Sequence, residues 1–99
     1  KGEAFSPTDT VANALASCMM TIMGIKARDL EVDFVGSTAE VTKIMNAEPR
    51  RIGAIEIVFE MQGVADQKNK TILERAAMTC PVFLSLSSEI EKNITFNWK

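Results

Sequence analysis

Ser6-Pro7-Thr8-Asp9 constrains the fold of this chain more than any other segment, because it joins three independent signals for the start of a helix. Serine suits the N-cap, proline suits the first helical position, and Asp9 meets the positive end of the helix dipole. Behind it, Val11, Leu15, Cys18, Ile22 and Ile25 recur at spacings of 4, 3, 4 and 3. That rhythm writes one apolar stripe onto a long helix, with Cys18 inside the stripe. The helix is expected to run past Arg28 and to stop before Gly36, although Val32, Phe34 and Val35 would equally suit a strand. Ala12, Ala14, Ala16, Ser17 and Gly24 keep the other faces small, so a second helix or a second chain can approach closely. Met19, Met20 and Met23 add adaptable apolar surface.

The rest of the chain alternates between strand and helix signals. Residues from Thr38 to Met45 alternate, and those from Arg51 to Met61 alternate again through Ile52, Ile55, Ile57 and Phe59. Asn46-Ala47-Glu48-Pro49-Arg50 between them has turn composition, which predicts an antiparallel hairpin. Asp66 opens a second helix with Ile72, Leu73, Ala76 and Ala77 as its buried side, ending where Cys80-Pro81 begins a turn. Val82 to Leu86 reads as a short helix, and Ile94, Phe96 and Trp98 alternate as a closing strand. The expected fold class is therefore α+β: three antiparallel strands with a long central helix and a second helix on one side of the sheet.

At 99 residues the chain makes one small domain with one core. Hydrophobic residues at 46% and charged residues at 24% are close to the globular average, so neither disorder nor a fibre is indicated. A net charge of -2 argues against nucleic acid as a partner, since phosphate binding wants a basic face. No uninterrupted apolar run approaches the roughly 20 residues that span a bilayer, which gives no membrane partner and makes the cytoplasm the expected location.

Histidine and tyrosine are both absent, so any chemistry must rest on sulfur, carboxylate, guanidinium and amine. The two cysteines, Cys18 and Cys80, are the candidates. Without histidine they fall short of the four ligands of a structural zinc site unless two chains contribute equally, so no metal and no cofactor are expected. Each has a bland reading beside the reactive one. Cys80, ahead of Pro81 at a helix start, sits near free backbone amides that favour a thiolate, yet also suits a small cap or core residue. Cys18, on an apolar stripe, is a place where desolvation raises a thiol's pKa, and alone it reads as packing.

Taken together, several segments resemble the OsmC/Ohr family of thiol-dependent peroxidases. They are Ser6-Pro7, the small-residue helix ending in Ala16-Ser17-Cys18, Pro49-Arg50-Arg51-Ile52, and Leu73-Glu74-Arg75-Ala76-Ala77-Met78-Thr79-Cys80-Pro81-Val82. Phe83-Leu84-Ser85-Leu86 and Ile94-Thr95-Phe96-Asn97-Trp98 continue the likeness to the end of the chain. The resemblance implies one OsmC-like domain over residues 1–99, without the N-terminal strands of the full family domain. It further implies an intertwined homodimer with the active site at the interface. In the implied mechanism the cysteine at position 18 attacks an organic hydroperoxide and becomes a sulfenic acid. The cysteine at position 80 then resolves it as an intramolecular disulfide, which a dithiol reductant reopens.

Two departures from the family pattern concern activation. The family's peroxidases carry glutamate directly after the proline of the helix-start motif, where this chain has Thr8. Asp9 is the candidate activating carboxylate, one residue late and so turned by about 100° around the helix. The family's activating arginine lies on an N-terminal segment outside these residues; Arg50 and Arg51 match a different position and are expected to shape the hairpin or bind a surface anion. These departures resemble the OsmC-like redox-protein branch. The competing readings are a non-catalytic dimer holding a small apolar or electrophilic ligand against Met19, Met20, Met23 and Phe83, and a domain whose disulfide is a redox switch.

Overall fold

The computed structural model describes residues 6–99 as six elements: α1 (Pro7–Leu30), β1 (Thr38–Ala47), β2 (Arg50–Met61), α2 (Gln67–Ala77), α3 (Pro81–Ser85) and β3 (Glu91–Trp98). The α+β class and the element order are those expected from the sequence. Helix α1 starts where Ser6 predicts: the serine Oγ accepts from the Asp9 N–H at 3.1 Å, with Pro7 in the first turn. It stops at Glu31, which adopts a left-handed conformation (φ 59°) while Val32 N–H bonds back to the Ala27 carbonyl. This is the hydrogen-bond pattern that closes helices at a left-handed residue.

β1 and β2 form the antiparallel hairpin, and its turn shrinks to Glu48 and Pro49 because both strands extend further than the alternation suggests. The sheet order is β1-β2-β3, and here one expectation fails: β3 pairs with β2 in parallel, not antiparallel. The cause lies in the connection. Between Met61 and Glu91 the chain builds both α2 and α3, long enough to carry it back to the start of β2 before it re-enters the sheet.

β2 is the central strand and supplies the floor of the core. Ile55, Ile57, Phe59 and Met61 are fully buried on its inner face, each contributing about 1.5–3 kcal/mol of burial. Near its beginning the register jumps from Ile44–Ala54 to Met45–Ile52, leaving Gly53 as the extra residue of a β-bulge. That bulge returns Ile52 to the inner face despite its even number. Phe59 and Phe96, partners across β2 and β3, stack with centroids 5.1 Å apart. Trp98 donates its indole N–H to a Glu74 carboxylate oxygen at 2.7 Å, tying the end of the sheet to α2.

The face of α1 that enters the core differs from the expected stripe. Ala12, Leu15, Ala16, Met19, Met23 and Ala27 are buried, whereas Cys18 and Ile22 are half-buried and Ile25 is 53% exposed. The two stripes share only Leu15. The small and methionine positions form an equally regular helical row, and the sheet accepts their smoother surface while the branched isoleucines are turned aside. On α2 the same displacement leaves Leu73 and Ala77 buried but Ile72 and Ala76 half-covered. Helix α1 is also long and apolar enough to cross a bilayer by length and composition alone. Six of its side chains are nevertheless committed to the core beneath it.

Candidate active site

The two thiols meet where α1 passes α3. Cys18 lies midway along α1 and remains partly accessible, while Cys80 is completely buried. Local geometry explains the position of Cys80. Helix α2 ends through bonds from Thr79 N–H to the Ala76 carbonyl (3.0 Å) and from Cys80 N–H to the Ala77 carbonyl (3.3 Å). Cys80 then turns extended, as a residue before proline must, and Pro81 opens α3. Its Sγ is the N-cap of α3 and accepts the Phe83 N–H at 3.2 Å.

At Cys80 burial competes with the amides of the helix start. Its pKa lies above the ordinary thiol range, first because burial strips solvent from the thiolate. The Phe83 and Val82 amides pull the other way, as the helix-start argument anticipates, but the neighbouring Cys18 thiol adds to the upward push. Desolvation outweighs two amide donors, so Cys80 rests as a protonated thiol at neutral pH.

Asp9 stands elsewhere. Its carboxylate pairs with Lys43 Nζ at 2.8 Å, and the same ammonium donates to the Thr8 hydroxyl at 2.8 Å. Lys43 holds the Asp9 carboxyl below its usual range, with Ser6 assisting. Nine residues separate Asp9 from Cys18, about 13 Å along the helix axis. The Asp9–Lys43 pair thus fastens the first turn of α1 to β1. Arg51 shapes the foot of the hairpin, reaching the Ile52 carbonyl at 3.4 Å and Glu89 at 3.9 Å. Among the described residues, no cluster of three potential metal ligands occurs.

Met19 and Met23 are core residues, fully buried, and do not line an open pocket. The structure instead opens a groove of about 450 Å³ between α1 and α2, floored by Ile22, Ile25, Ile72 and Ala76. The groove adjoins the thiols: Ile22 is one turn beyond Cys18, and Thr79, which also lines it, precedes Cys80. Its signal in the sequence is a shared spacing, 22, 25, 26 and 29 on α1 matching 72, 75 and 76 on α2 and 79 in the turn that follows it.

Comparison with known proteins follows the same lines. A candidate osmotic stress induced and detoxification response protein from Psychrobacter arcticus is 49% identical, superposes with a TM-score of 0.91, and is matched over 98% of this chain and 71% of that one. The fold is shared with an organic hydroperoxide resistance protein OsmC from Legionella pneumophila, at 15% identity and a TM-score of 0.72 over 98% and 72% of the two chains. It is shared too with the organic hydroperoxide resistance protein OhrB of Bacillus subtilis, at 16% identity and a TM-score of 0.67 over 93% and 70%. No curated protein matches the sequence. The family model described as OsmC-like protein matches residues 1–95, and with a relative at 49% identity this places the chain in the OsmC-like family.

Proposed function

We propose that this chain works in redox defence as a thiol-dependent peroxidase of organic hydroperoxides, with Cys18 as nucleophile and Cys80 as resolving thiol. The observation that carries the reading is the unequal burial of two neighbouring thiols. A peroxide can approach the half-covered Cys18, whereas Cys80 has no solvent-facing surface. Attack of the Cys18 thiolate on the terminal peroxide oxygen breaks the O–O bond and leaves a sulfenic acid, and the alkoxide that departs takes a proton from water to become the alcohol. Attack by Cys80 on that sulfur forms the disulfide and releases water. A dithiol then returns both cysteines to thiols, which fits a reducing compartment such as the cytoplasm. Peroxide resistance in the names of the Legionella and Bacillus proteins supports the substrate class.

The working unit in this reading is a homodimer, supported by large apolar side chains left on the surface, Val35 at 77% and Leu84 at 68% exposure. Asp9 enters the proposal as the carboxylate that, with Lys43, sets the start of α1. Adding tert-butyl hydroperoxide to the reduced protein is expected to remove two thiols per chain and yield a peptide linked through Cys18 and Cys80. Cys18→Ser should abolish turnover, and Cys80→Ser should stop at a sulfenic acid trappable by dimedone. A constant thiol count with unconsumed peroxide refutes the reading. A switch rather than a turnover enzyme would form the disulfide once and be reduced too slowly to support steady-state peroxide loss.

A further inference from the structure

The inner row of β3, read from the sequence as Ile94, Phe96 and Trp98, begins one position earlier with a lysine. Lys92 pairs with the fully buried Ile55, and like the rest of its row it is half-buried. A charge turned toward the core must find partners there. The Lys92 ammonium donates to the carbonyls of Ile90 at 3.0 Å and Ser87 at 3.3 Å, and stands 5.4 Å from the centroid of the Phe83 ring. The turn before β3 closes without it, through the Ile90 N–H on the Ser87 carbonyl (3.0 Å) and the Glu89 N–H on the Ser87 hydroxyl (3.1 Å). What the lysine adds is a link from that turn to α3. Helix α3 has five residues, none of them buried, too few to hold a helix by its own hydrogen bonds. Yet it carries the Phe83 N–H that reaches the Cys80 sulfur at 3.2 Å. Ring and amide belong to one residue, so a contact that fixes the Phe83 ring also fixes the donor.

We propose that Lys92 is a positioning residue for the resolving thiol: by gripping the Phe83 ring it holds α3 where the Phe83 N–H meets the Cys80 sulfur. The inference rests on the reading of Cys80 as the thiol that attacks oxidised Cys18. In that attack negative charge gathers on the Cys80 sulfur as its proton leaves, and an amide donor already aimed at the sulfur stabilises it. Lys92 acts through Phe83 and not on a sulfur itself. Lys92→Met keeps an unbranched apolar stem and loses the charge, whereas Lys92→Arg keeps both the charge and the ability to stand over an aromatic ring.

The resolving step can be timed without peroxide, which tells failure of this inference apart from failure of the peroxidase reading. The Cys18 thiolate of the reduced full chain attacks the aromatic disulfide DTNB, forms a mixed disulfide and expels one thionitrobenzoate. Cys80 then loses its proton to the buffer and attacks the Cys18 sulfur, forming the Cys18–Cys80 bond and expelling a second thionitrobenzoate. Lys92→Met should leave the first release unchanged and slow the second about fivefold, and Lys92→Arg should restore it. Lys92→Gln should slow the second release as Lys92→Met does, and circular dichroism checks that each variant folds. Hydrogen exchange supplies a readout with no thiol chemistry: the Phe83 amide should exchange about fivefold faster in reduced Lys92→Met, with the Ile57 amide of β2 unchanged. Ile94→Val, at the next inner position of β3, should alter neither reading, which separates positioning from a general loosening of the strand. Equal second-release rates in wild type and Lys92→Met, an equal slowing of both releases, or an unchanged Phe83 exchange rate overturns the inference. A single release from wild type removes Cys80 as the resolving thiol, and the inference with it. A second release that slows in Lys92→Met supports the inference even where tert-butyl hydroperoxide is left unconsumed, a result that counts against the peroxidase reading alone.

Discussion

Met19→Ala distinguishes a methionine that packs the core from one that lines a ligand pocket. Met19 follows Cys18 on α1 and is fully buried between the helix and the inner face of the sheet. Truncation removes most of a side chain with no solvent-facing atoms, and flanking Leu15 and Met23 are themselves fully buried, so the site has little freedom to collapse. Substitutions of this kind cost about 2–5 kcal/mol, against a total stability of about 5–15 kcal/mol for a domain of this size. Each kcal/mol corresponds to about 4–8 °C in Tm here, so a fall of at least about 8 °C is expected. Met20, half-buried on the next face, should lose less than about 1 kcal/mol on the same change. Urea unfolding of reduced protein at one fixed concentration measures both, so that any contribution from association is compared at the same protomer concentration. Met19→Leu, close in volume, should recover most of the loss. If Met19→Ala and Met20→Ala cost the same, or if Met19→Ala stays within about 0.5 kcal/mol of wild type, the assignment of these methionines to the core is wrong.

Cys80 makes stability depend on alkaline pH. Its folded pKa is raised, so the folded state keeps a proton that the unfolded chain releases. The associated stability is complete below the ordinary thiol value of 9.0 and disappears as pH climbs through the folded value. The urea midpoint of reduced protein should therefore fall above pH 9.0 more steeply in wild type than in Cys80→Ala, and equal slopes would remove burial as the cause. Gly63→Ala should cost more than about 2 kcal/mol, since φ is +90° and an added Cβ would lie 2.5 Å from the Asp33 carbonyl oxygen. Gly53→Ala should cost far less, because the obstruction at the bulge is the exposed Asn46 side chain, which can swing away; similar losses at both glycines would contradict that account.

Local chemistry was readable wherever one or two side chains decide the outcome. Ser6, Asp66 and Cys80 all cap helices as their neighbours in sequence imply, and the alternation around Ile55, Ile57 and Phe59 marks the inner face of β2. What escaped depends on partners distant in the chain. The direction of β3 is set by how far α2 and α3 carry the backbone, not by the pattern Ile94, Phe96, Trp98, which reads the same either way. On α1 two apolar rows were available, and only the shape of the sheet selects alanine and methionine over isoleucine. The rejected row then forms one wall of the groove, so the stripe that marked Cys18 was a correct signal of an apolar face and a misleading one of burial. For Cys80 the helix-start amides were legible, but the larger desolvation was not, because it comes from α1 packing above it.

That outcome bears on how the proposed cycle divides its labour. Were both sulfurs ionised at rest, two adjacent thiolates would repel. The fold settles the matter in advance by burying Cys80, which holds its proton beside a sulfur that peroxide can reach. Once Cys18 is a sulfenic acid, the repulsion between the thiols is gone, while the Phe83 and Val82 amides remain aimed at the Cys80 sulfur. Ionisation of Cys80 is then easier than in the resting state, and the proton it gives up is the one needed for hydroxide to leave as water. A resolving thiol that starts protonated supplies both the attacking sulfur and the leaving group's proton, so this step needs no histidine.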